Sequence, residues 1–194
     1  MGISAVIMSP LHFLQQPMSW LKALARYRGV YTAAPNFALS LCSHRHDPYQ
    51  LQGCDLSALK FLLLGGEPVR PETLQTFVRT FAPYGFDARA FYPAYGLAEA
   101  TVFVSGGAWF SGAVSHWVDG PALQQGQVVP VSADQAQAQG LVACGTPPST
   151  GRVQIVDPES HIPLAPEAVG EIWVQGPYVA QGYWNQPELS AATF

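Results

Sequence analysis

An apolar run over residues 59–64 is followed by Gly65 and Gly66, and a helical pattern opens five residues after Gly66, at Pro71. A short, continuous apolar run bounded by glycines is typical of a parallel strand that is buried on both faces. The helical stretch carries an apolar face at helical spacing, made by Leu74, Phe77, Val78 and Phe81. A central strand, a glycine turn and a covering helix are therefore predicted, and they limit this part of the chain to an α/β fold.

The same alternation of strand and helix patterns extends over the first half of the chain. Strands are predicted at residues 3–8, 30–32 and 88–92, and helices at residues 20–27 and 36–43. Strands that alternate with helices are typical of a mainly parallel sheet. We therefore predict a partial parallel sheet with flanking helices.

From Gly106 onward the helical periodicity disappears, and glycine, glutamine and short β-branched runs replace it. Segment 132–140 is polar and is compatible with a loop or a short helix. Short strands separated by turn residues indicate an antiparallel barrel or sandwich, so a smaller, barrel-like, β-rich subdomain is predicted. Its predicted strands are residues 128–131, 141–144, 152–156 and 171–175.

Composition excludes several classes of protein. Hydrophobic residues make up 48% of the 194 positions and charged residues only 11%, against about 25% in a typical domain, which excludes disorder. Nine scattered basic residues against 13 acidic ones form no basic stripe, so no nucleic-acid partner is expected. No apolar run approaches the roughly 20 residues of a membrane span, and no secretory leader is recognisable, so a cytoplasmic location is expected. Cys42, Cys54 and Cys144 show no metal-ligand or disulfide spacing.

Two segments at predicted strand ends could carry chemistry. Gly65, Gly66 and Glu67 directly follow the central strand, and ligands in open α/β sheets bind at the carboxyl ends of strands. Glycines there let a flat ring or a phosphate approach the backbone closely. The alternative is an ordinary tight turn between strand and helix.

The second segment combines an aromatic ring at Tyr95, the glycine Gly96 and a carboxylate at Glu99. An aromatic ring can stack on a nucleobase, and a carboxylate can hold Mg²⁺ beside phosphates, because this ion prefers oxygen ligands. The alternative is a pair of core tyrosines next to a solvated glutamate.

The sequence FYPAYGLAEATVFVSGG, residues 91–107, resembles the hallmark segment of fatty acyl-AMP ligases, which are adenylate-forming enzymes. The resemblance covers nearly the whole chain, in the order found in the family. Its other segments are SPLHFLQQPMSWLKALARYR, APNFALSLC, GGEPVRPETLQTFVRTFAPYGF, IVDPES and GEIWVQGPYVAQGYWNQPELSAATF.

The resemblance implies a reaction and a set of site residues. In the family a fatty acid carboxylate attacks the α-phosphorus of ATP, pyrophosphate leaves, and the acyl group passes to an acyl carrier protein. ATP and Mg²⁺ are thus the implied cofactors, and fatty acid and acyl carrier protein the implied partners. Glu99 matches the Mg²⁺-binding catalytic glutamate, and Asn36 and Phe37 begin a helix that resembles the acyl-tunnel wall, with ordinary core packing as its alternative. The residues that match nucleotide-binding positions are Gly65, Gly66, Glu67, Tyr95, Gly96, Leu97 and Ala98.

Some residues differ from the common pattern of adenylate-forming enzymes, and they concern the length of the acyl substrate and the subfamily to which the chain is similar. Many adenylate-forming enzymes have threonine at the position of Ala98, whereas fatty acyl-AMP ligases commonly have alanine there, as this chain does. Gly66 and the pair Ala33 and Ala34 differ from the usual family residues, which leaves the acyl length open. The implied domains are an α/β subdomain at 1–105, a ligase-type insertion at 106–143 that disfavours coenzyme A, and a truncated β-rich subdomain at 144–194.

Two elements that the family needs are missing from these residues. The chain has only two lysines, Lys22 and Lys60, and neither follows a phosphate-binding loop. The family's C-terminal domain, with its catalytic lysine, would lie beyond Phe194. We therefore expect a middle fragment that needs the N-terminal and C-terminal parts of the same enzyme and makes no acyl-adenylate alone. The alternatives are a fragment of an acyl-CoA synthetase and a non-catalytic nucleotide-binding or structural fragment.

Overall fold

The structure is a computed structural model that describes Gly2 and residues 4–194. The chain divides into two compact units. Unit 1 runs up to Pro93 and includes Ala108–Val114, and unit 2 comprises Ala94–Gly107 and Ser115–Phe194. The boundary between the units falls inside a strand, two residues before Tyr95.

Unit 1 contains a parallel sheet. Its strands are β1 (Tyr31–Ala34), β2 (Phe61–Leu64) and the first three residues of β3 (Phe91–Tyr95). Strand β2 pairs in parallel with β1, where Ala34 lies opposite Leu64, and with β3, where Leu64 lies opposite Pro93. The prediction of a central parallel strand that ends before Gly65 is confirmed. The carboxyl ends of β2 and of the unit 1 part of β3 lie at the same edge of the sheet.

Helices flank this sheet, as predicted. Three of them correspond to predicted helices: α2 (Met18–Arg26), α3 (Asn36–His44) and α4 (Pro71–Phe81). A further short helix, α1 (Pro10–Gln15), was not predicted. Leu74, Phe77 and Phe81 of α4 are buried, and Leu62 and Leu64 of β2 are 0% exposed. Each such burial removes an apolar side chain from water and contributes about 1.5–3 kcal/mol. The apolar face predicted for α4 therefore forms much of the core.

Aromatic rings cover the other face of the sheet in unit 1. Phe61 lies between Tyr31 and Tyr92, with ring centroids 5.1 and 4.3 Å away, and it also stacks on Trp109 at 5.2 Å. Tyr31 and Trp109 remain 59% and 63% exposed. Trp109 belongs to the stretch for which the sequence predicts a ligase-type insertion.

Two expectations for unit 1 need correction. The predicted strand at residues 3–8 is wrong for residues 4–8, which form no strand; Ile3 lies outside the described residues. Ile7 is 92% exposed, because no described strand pairs with this segment and a strand needs a hydrogen-bonded neighbour. The third strand begins at Phe91 rather than at residue 88, because the Asp87 side chain accepts a hydrogen bond from Arg89 N and caps a 3-10 turn at Ala88–Ala90.

Unit 2 is built from short antiparallel pairs. At the end of β3, Ala94 and Tyr95 pair with β4 (Ser105–Gly106). Two further ribbons pair β5 (Ser115–Asp119) with β6 (Ala138–Val142), and β7 (Arg152–Val156) with β8 (Glu171–Gln175). The described residues form no closed sheet, so a barrel is not shown and only the mixed α/β architecture with a partly parallel sheet is confirmed. The helices of unit 2 are α5 (Gly120–Gln124) and α6 (Pro187–Thr193).

The strands predicted at 152–156 and 171–175 are confirmed, whereas the strand predicted at 128–131 is wrong. This segment meets β5 only through an isolated bridge between Val118 and Pro130, because proline has no N–H to continue a ladder. The strand predicted at 141–144 corresponds to β6, which already begins at Ala138, inside the segment for which a loop or a short helix is predicted. Strand β5 has no counterpart among the predicted strands. Among residues 4–194, no helix is both long and apolar enough to span a membrane.

Candidate functional site

The glycine turn follows β2 directly. Gly66 has φ +80, a left-handed conformation that favours glycine, and a Cβ placed there would meet nothing within 4 Å. Gly66 and Glu67 are exposed, and Gly65 is half-buried. The turn therefore presents open backbone at the carboxyl end of the central strand, where the sequence analysis expects the border of an adenine site.

Glu67 connects this turn to α3. Its Oε1 accepts a hydrogen bond of 2.8 Å from the backbone N–H of Phe37, the second residue of α3. Pro35, which precedes the helix, provides no side-chain cap. The Glu67 carboxylate therefore satisfies one of the free N–H groups at the helix start, and its negative charge is favourable at this end of the helix dipole.

Asn36 fixes the far side of the same turn. This side chain is 7% exposed; its Oδ1 accepts from the backbone N–H of Arg70 at 3.1 Å, and its Nδ2 donates to Thr73 Oγ1 at 3.3 Å. The polar atoms of Asn36 are thus engaged within unit 1, whereas the Phe37 ring is 48% exposed and free to contact an apolar ligand. The structure brings Asn36, Phe37 and Glu67 together, and their ligand-binding roles stay predictions.

Tyr95 is the last residue of β3 and lies in unit 2. Its backbone carbonyl accepts from Val104 N at 3.0 Å, and it pairs with Ser105 of β4. The side chain is half-buried, and in the part of the chain that the structure describes its ring pairs with no other aromatic ring. A stacking face on Tyr95 is thus not consumed by an aromatic neighbour.

A tight loop links Tyr95 to Glu99 and folds back on itself. A Cβ at Gly96 would lie 1.5 Å from the carbonyl oxygen of Val102, so only glycine fits there. The backbone N–H groups of Ala100 and Val102 both donate to Leu97 O. Thr101 and Val102 have φ of 53° and 76°, and each such conformation in a residue other than glycine costs on the order of 1–3 kcal/mol.

Glu99 is half-buried, and its carboxylate has a specific partner. The Tyr183 hydroxyl donates a hydrogen bond to Glu99 Oε1. This bond is the main cause that lowers the pKa of Glu99, and the same bond raises the pKa of Tyr183. Glu99 is therefore ionised and Tyr183 protonated at neutral pH.

Two further hydrogen bonds join the Glu99 turn to the segment before Tyr183. Ala180 N donates to Glu99 O at 2.7 Å, and Thr101 Oγ1 donates to Tyr178 O at 2.6 Å. Tyr183 lies 84 residues after Glu99 and was not among the predicted site residues. Neither spacing nor composition marks it; only its membership of a segment that resembles the family could have drawn attention to it.

Glu99 has the chemistry of a Mg²⁺ ligand. Its second carboxylate oxygen accepts no hydrogen bond from any side chain among the described residues. No group of three or more His, Cys, Asp or Glu side chains in that part of the chain could enclose a metal. Mg²⁺ at a nucleotide site is usually held by one or two carboxylates plus substrate phosphates, so a single ionised glutamate fits this mode of binding.

The candidate residues thus form two groups. Asn36, Phe37 and Glu67 lie with the glycine turn in unit 1, and Tyr95, Gly96 and Glu99 lie in one loop of unit 2. A family model described as AMP-binding enzyme matches residues 1–184.

The chain belongs to the AMP-binding enzyme family.

Relatives within this AMP-binding family carry consistent names. The chain is 41% identical over 195 residues to the medium-chain-fatty-acid–[acyl-carrier-protein] ligase JamA of Moorena producens, covering all of this chain and 33% of that protein. It is 38% identical over 193 residues to the medium-chain-fatty-acid–[acyl-carrier-protein] ligase TtuA of Teredinibacter turnerae, again over all of this chain and 30% of that protein.

A solved AMP-binding structure also matches. The fold is similar, with a TM-score of 0.91 and 42% identity, to a fatty acyl-adenylate ligase from L. pneumophila in complex with acyl adenylate and pyrophosphate. The match covers 97% of this chain and 33% of that one. The chain thus spans about a third of the length of the relatives that it matches.

Proposed function

We propose that this chain is the central part of a fatty acyl-AMP ligase that converts a fatty acid and ATP into acyl-AMP and pyrophosphate. The observation that carries the proposal is the parallel pairing of β2 and β3, with Leu64 opposite Pro93. Within unit 1, the glycine turn that begins at Gly65 directly follows the end of β2. Ligands of open α/β sheets bind at such strand ends, and the named relatives are fatty-acid ligases.

The proposed roles follow from the chemistry of each residue. The Tyr95 ring stacks on the adenine, and the backbone of Gly65, Gly66 and Glu67 contributes to nucleotide binding. Gly96, Leu97 and Ala98 line the nucleotide, because they connect the ring at Tyr95 to the carboxylate at Glu99. Asn36 holds the start of the acyl-tunnel helix against the turn, and the exposed Phe37 ring contacts the acyl chain.

Glu99 serves as a ligand and not as a base. A fatty acid is already ionised at neutral pH, so its attack on the α-phosphorus requires no general base. Mg²⁺, when bound, reduces the repulsion between the anionic fatty acid and the ATP phosphates. The contribution of the chain is a carboxylate that remains ionised because Tyr183 donates to it.

Further features of the parent protein belong to the same proposal. The acyl group passes to an acyl carrier protein, and residues 106–143 act as an insertion that disfavours coenzyme A. Residues 1–105 form the α/β subdomain, and residues 144–194 form part of a barrel-like β subdomain completed by chain outside this sequence. We place the parent in the cytoplasm, where ATP is available and where Cys42, Cys54 and Cys144 stay as free thiols.

Fatty-acid-dependent exchange of pyrophosphate into ATP tests the proposal. We expect exchange in the full-length parent protein and none in the 194-residue chain, because the chain has no lysine that follows a phosphate-binding loop. Glu99→Gln in the parent should reduce exchange by at least about tenfold, since it removes the charge that holds the metal. Absence of exchange in the parent with every fatty acid tried would contradict the proposal.

The acceptor is tested separately. Supplying either coenzyme A or a phosphopantetheine-loaded carrier protein to the parent, after adenylate has formed, distinguishes the ligase from an acyl-CoA synthetase. We expect transfer to the carrier protein alone. Transfer to coenzyme A would identify the synthetase, whereas nucleotide binding without either product would indicate a non-catalytic protein.

A further inference from the structure

We propose that Tyr183 is a positioning residue that orients the Glu99 carboxylate for Mg²⁺. The inference rests on the proposed function and adds to it a residue from the far end of the chain. The Tyr183 hydroxyl donates to Glu99 Oε1. This bond determines which carboxylate oxygen of Glu99 is occupied and which remains open to a metal ion.

A glutamate side chain needs such help. Its terminal torsion is broad, so an unrestrained carboxylate samples many orientations, and ordering the side chain opposes metal binding entropically. A hydrogen bond to one carboxylate oxygen removes much of this freedom before the metal arrives. In metal sites, hydrogen-bond partners of this kind orient the coordinating side chain, and their loss typically lowers the affinity for the metal by about 10–100-fold.

Tyr183 is itself anchored. Its backbone N–H donates to Ser190 Oγ at 2.8 Å, and Ser190 Oγ donates to Gln186 O at 2.7 Å. The Tyr183 ring packs edge-on against Phe194, with centroids 5.4 Å apart. The donor is thus tied to the start and the end of α6, so Tyr183 provides a fixed reference for the Glu99 carboxylate.

The backbone around Glu99 is held by separate bonds. Ala180 N donates to Glu99 O, and Thr101 Oγ1 donates to Tyr178 O. Removing the Tyr183 hydroxyl leaves both bonds in place. Tyr183→Phe should therefore free the carboxylate without unfolding the loop, which separates a positioning role from a merely structural one.

The test uses the full-length parent protein carrying Tyr183→Phe. Mn²⁺, which replaces Mg²⁺ and is visible by electron paramagnetic resonance, is titrated into the protein with saturating ATP. We expect about tenfold weaker Mn²⁺ binding. In the exchange assay the KM for Mg²⁺ should rise by a similar factor, while the KM for the fatty acid stays unchanged.

Tyr178→Phe is the matched control. The Tyr178 hydroxyl is buried and has no hydrogen-bond partner among the described residues. The control therefore removes a tyrosine hydroxyl from the same segment and leaves the hydrogen bond to Glu99 in place. It should leave Mn²⁺ affinity unchanged. Equal affinity in wild type, Tyr183→Phe and Tyr178→Phe would overturn the inference, as would equal weakening in both variants.

A double-mutant cycle with Glu99→Gln shows whether Tyr183 acts through Glu99. If it does, adding Tyr183→Phe to Glu99→Gln should produce little further loss of Mn²⁺ affinity, whereas additive losses would contradict the inference. If Tyr183→Phe fails to fold, Ser190→Ala is used instead, because it removes the hydrogen bond to the Tyr183 backbone without contacting Glu99. It should weaken Mn²⁺ binding severalfold, and unchanged Mn²⁺ affinity would contradict the inference. Lack of exchange by the wild-type parent instead refutes the proposed function, so the two failures are distinguishable.

Discussion

Glu67 Oε1 accepts a 2.8 Å hydrogen bond from the backbone N–H of Phe37, so the turn after the central strand caps the helix that opens 31 residues earlier. Asn36 also accepts a hydrogen bond from the backbone N–H of Arg70 and donates one to Thr73. Together these bonds join the glycine turn, predicted to border the adenine, to α3, predicted to form the wall of the acyl tunnel. The two elements are therefore joined by direct hydrogen bonds within unit 1.

Glu67→Ala should destabilise the 194-residue chain by about 1 kcal/mol, the usual cost of losing a helix cap. Glu67→Gln retains an acceptor oxygen but not the charge, so it should cost less. Urea unfolding followed by circular dichroism measures both values. An alanine variant as stable as wild type would mean that the bond to Phe37 contributes nothing to the fold.

Gly96→Ala should disrupt the loop that carries Glu99. The added Cβ would meet the Val102 carbonyl at 1.5 Å, so the backbone must move. Gly126→Ala is the control, because Gly126 has φ +77 but open space around it, and it should cost only about 1 kcal/mol of conformational strain. We expect at least about twice that loss for Gly96→Ala, measured by thermal unfolding; equal losses would contradict the close approach.

Asp87 should make the chain less stable in acid. Hydrogen bonds from the Arg89 side chain and backbone lower the pKa of Asp87 to about 2, below its value of about 3.9 in an unfolded chain. Since the folded state holds this proton less tightly, the stabilisation is present above about pH 4 and is lost as the pH falls toward 2.

Asp87→Asn should therefore reduce the dependence of urea stability on pH between about 4 and 2 relative to wild type. Arg89→Gln, which removes the side-chain partner, should reduce it partly. An unchanged pH dependence in both variants would show that this pair does not couple folding to protonation.

Cys42 should resist alkylation in the folded chain. Burial raises the pKa of its thiol to about 12, so at pH 8 only about one molecule in ten thousand carries the reactive thiolate. Burial also raises the pKa of Cys54 and Cys144, but both thiols are partly accessible. Mass spectrometry after iodoacetamide treatment should show that Cys42 is alkylated at least about a hundredfold more slowly than Cys54 and Cys144 in the folded chain. In urea all three thiols should react at similar rates. Early labelling of Cys42 would contradict its burial.

Local patterns in the sequence predicted the parallel core well. A strand that is buried on both faces appears as a continuous apolar run, here at 59–64, and a helix that is buried on one face appears as apolar residues at helical spacing, here in α4. Both signals can be recognised in the local sequence. Strands β7 and β8 were predicted for a different reason, as short β-branched runs separated by turn residues. The pattern did not predict β5, whose pairing with β6 depends on contacts distant in sequence and not on strong local propensity.

The candidate site was predicted only as separate residues. Resemblance identified Tyr95 and Glu99, but no sequence signal indicated that the Tyr183 hydroxyl would reach Glu99 across 84 residues. Glu67 and Asn36 were expected to face ligands, and the structure adds that their side chains first hold α3, the turn and α4 together. Such long-range hydrogen bonds arise from the fold and leave no pattern in the local sequence.

Calorimetric titration of a non-hydrolysable acyl-adenylate analogue into the full-length parent protein shows whether the Tyr95 ring stacks on the adenine. We expect binding by wild type and at least about tenfold weaker binding by Tyr95→Ala, because a base stacked on an aromatic ring contributes about 1–3 kcal/mol. Tyr49→Phe, at a residue that is 91% exposed, should bind like wild type. Equal affinity in Tyr95→Ala and wild type, or no binding by either, would refute the proposed adenylate site.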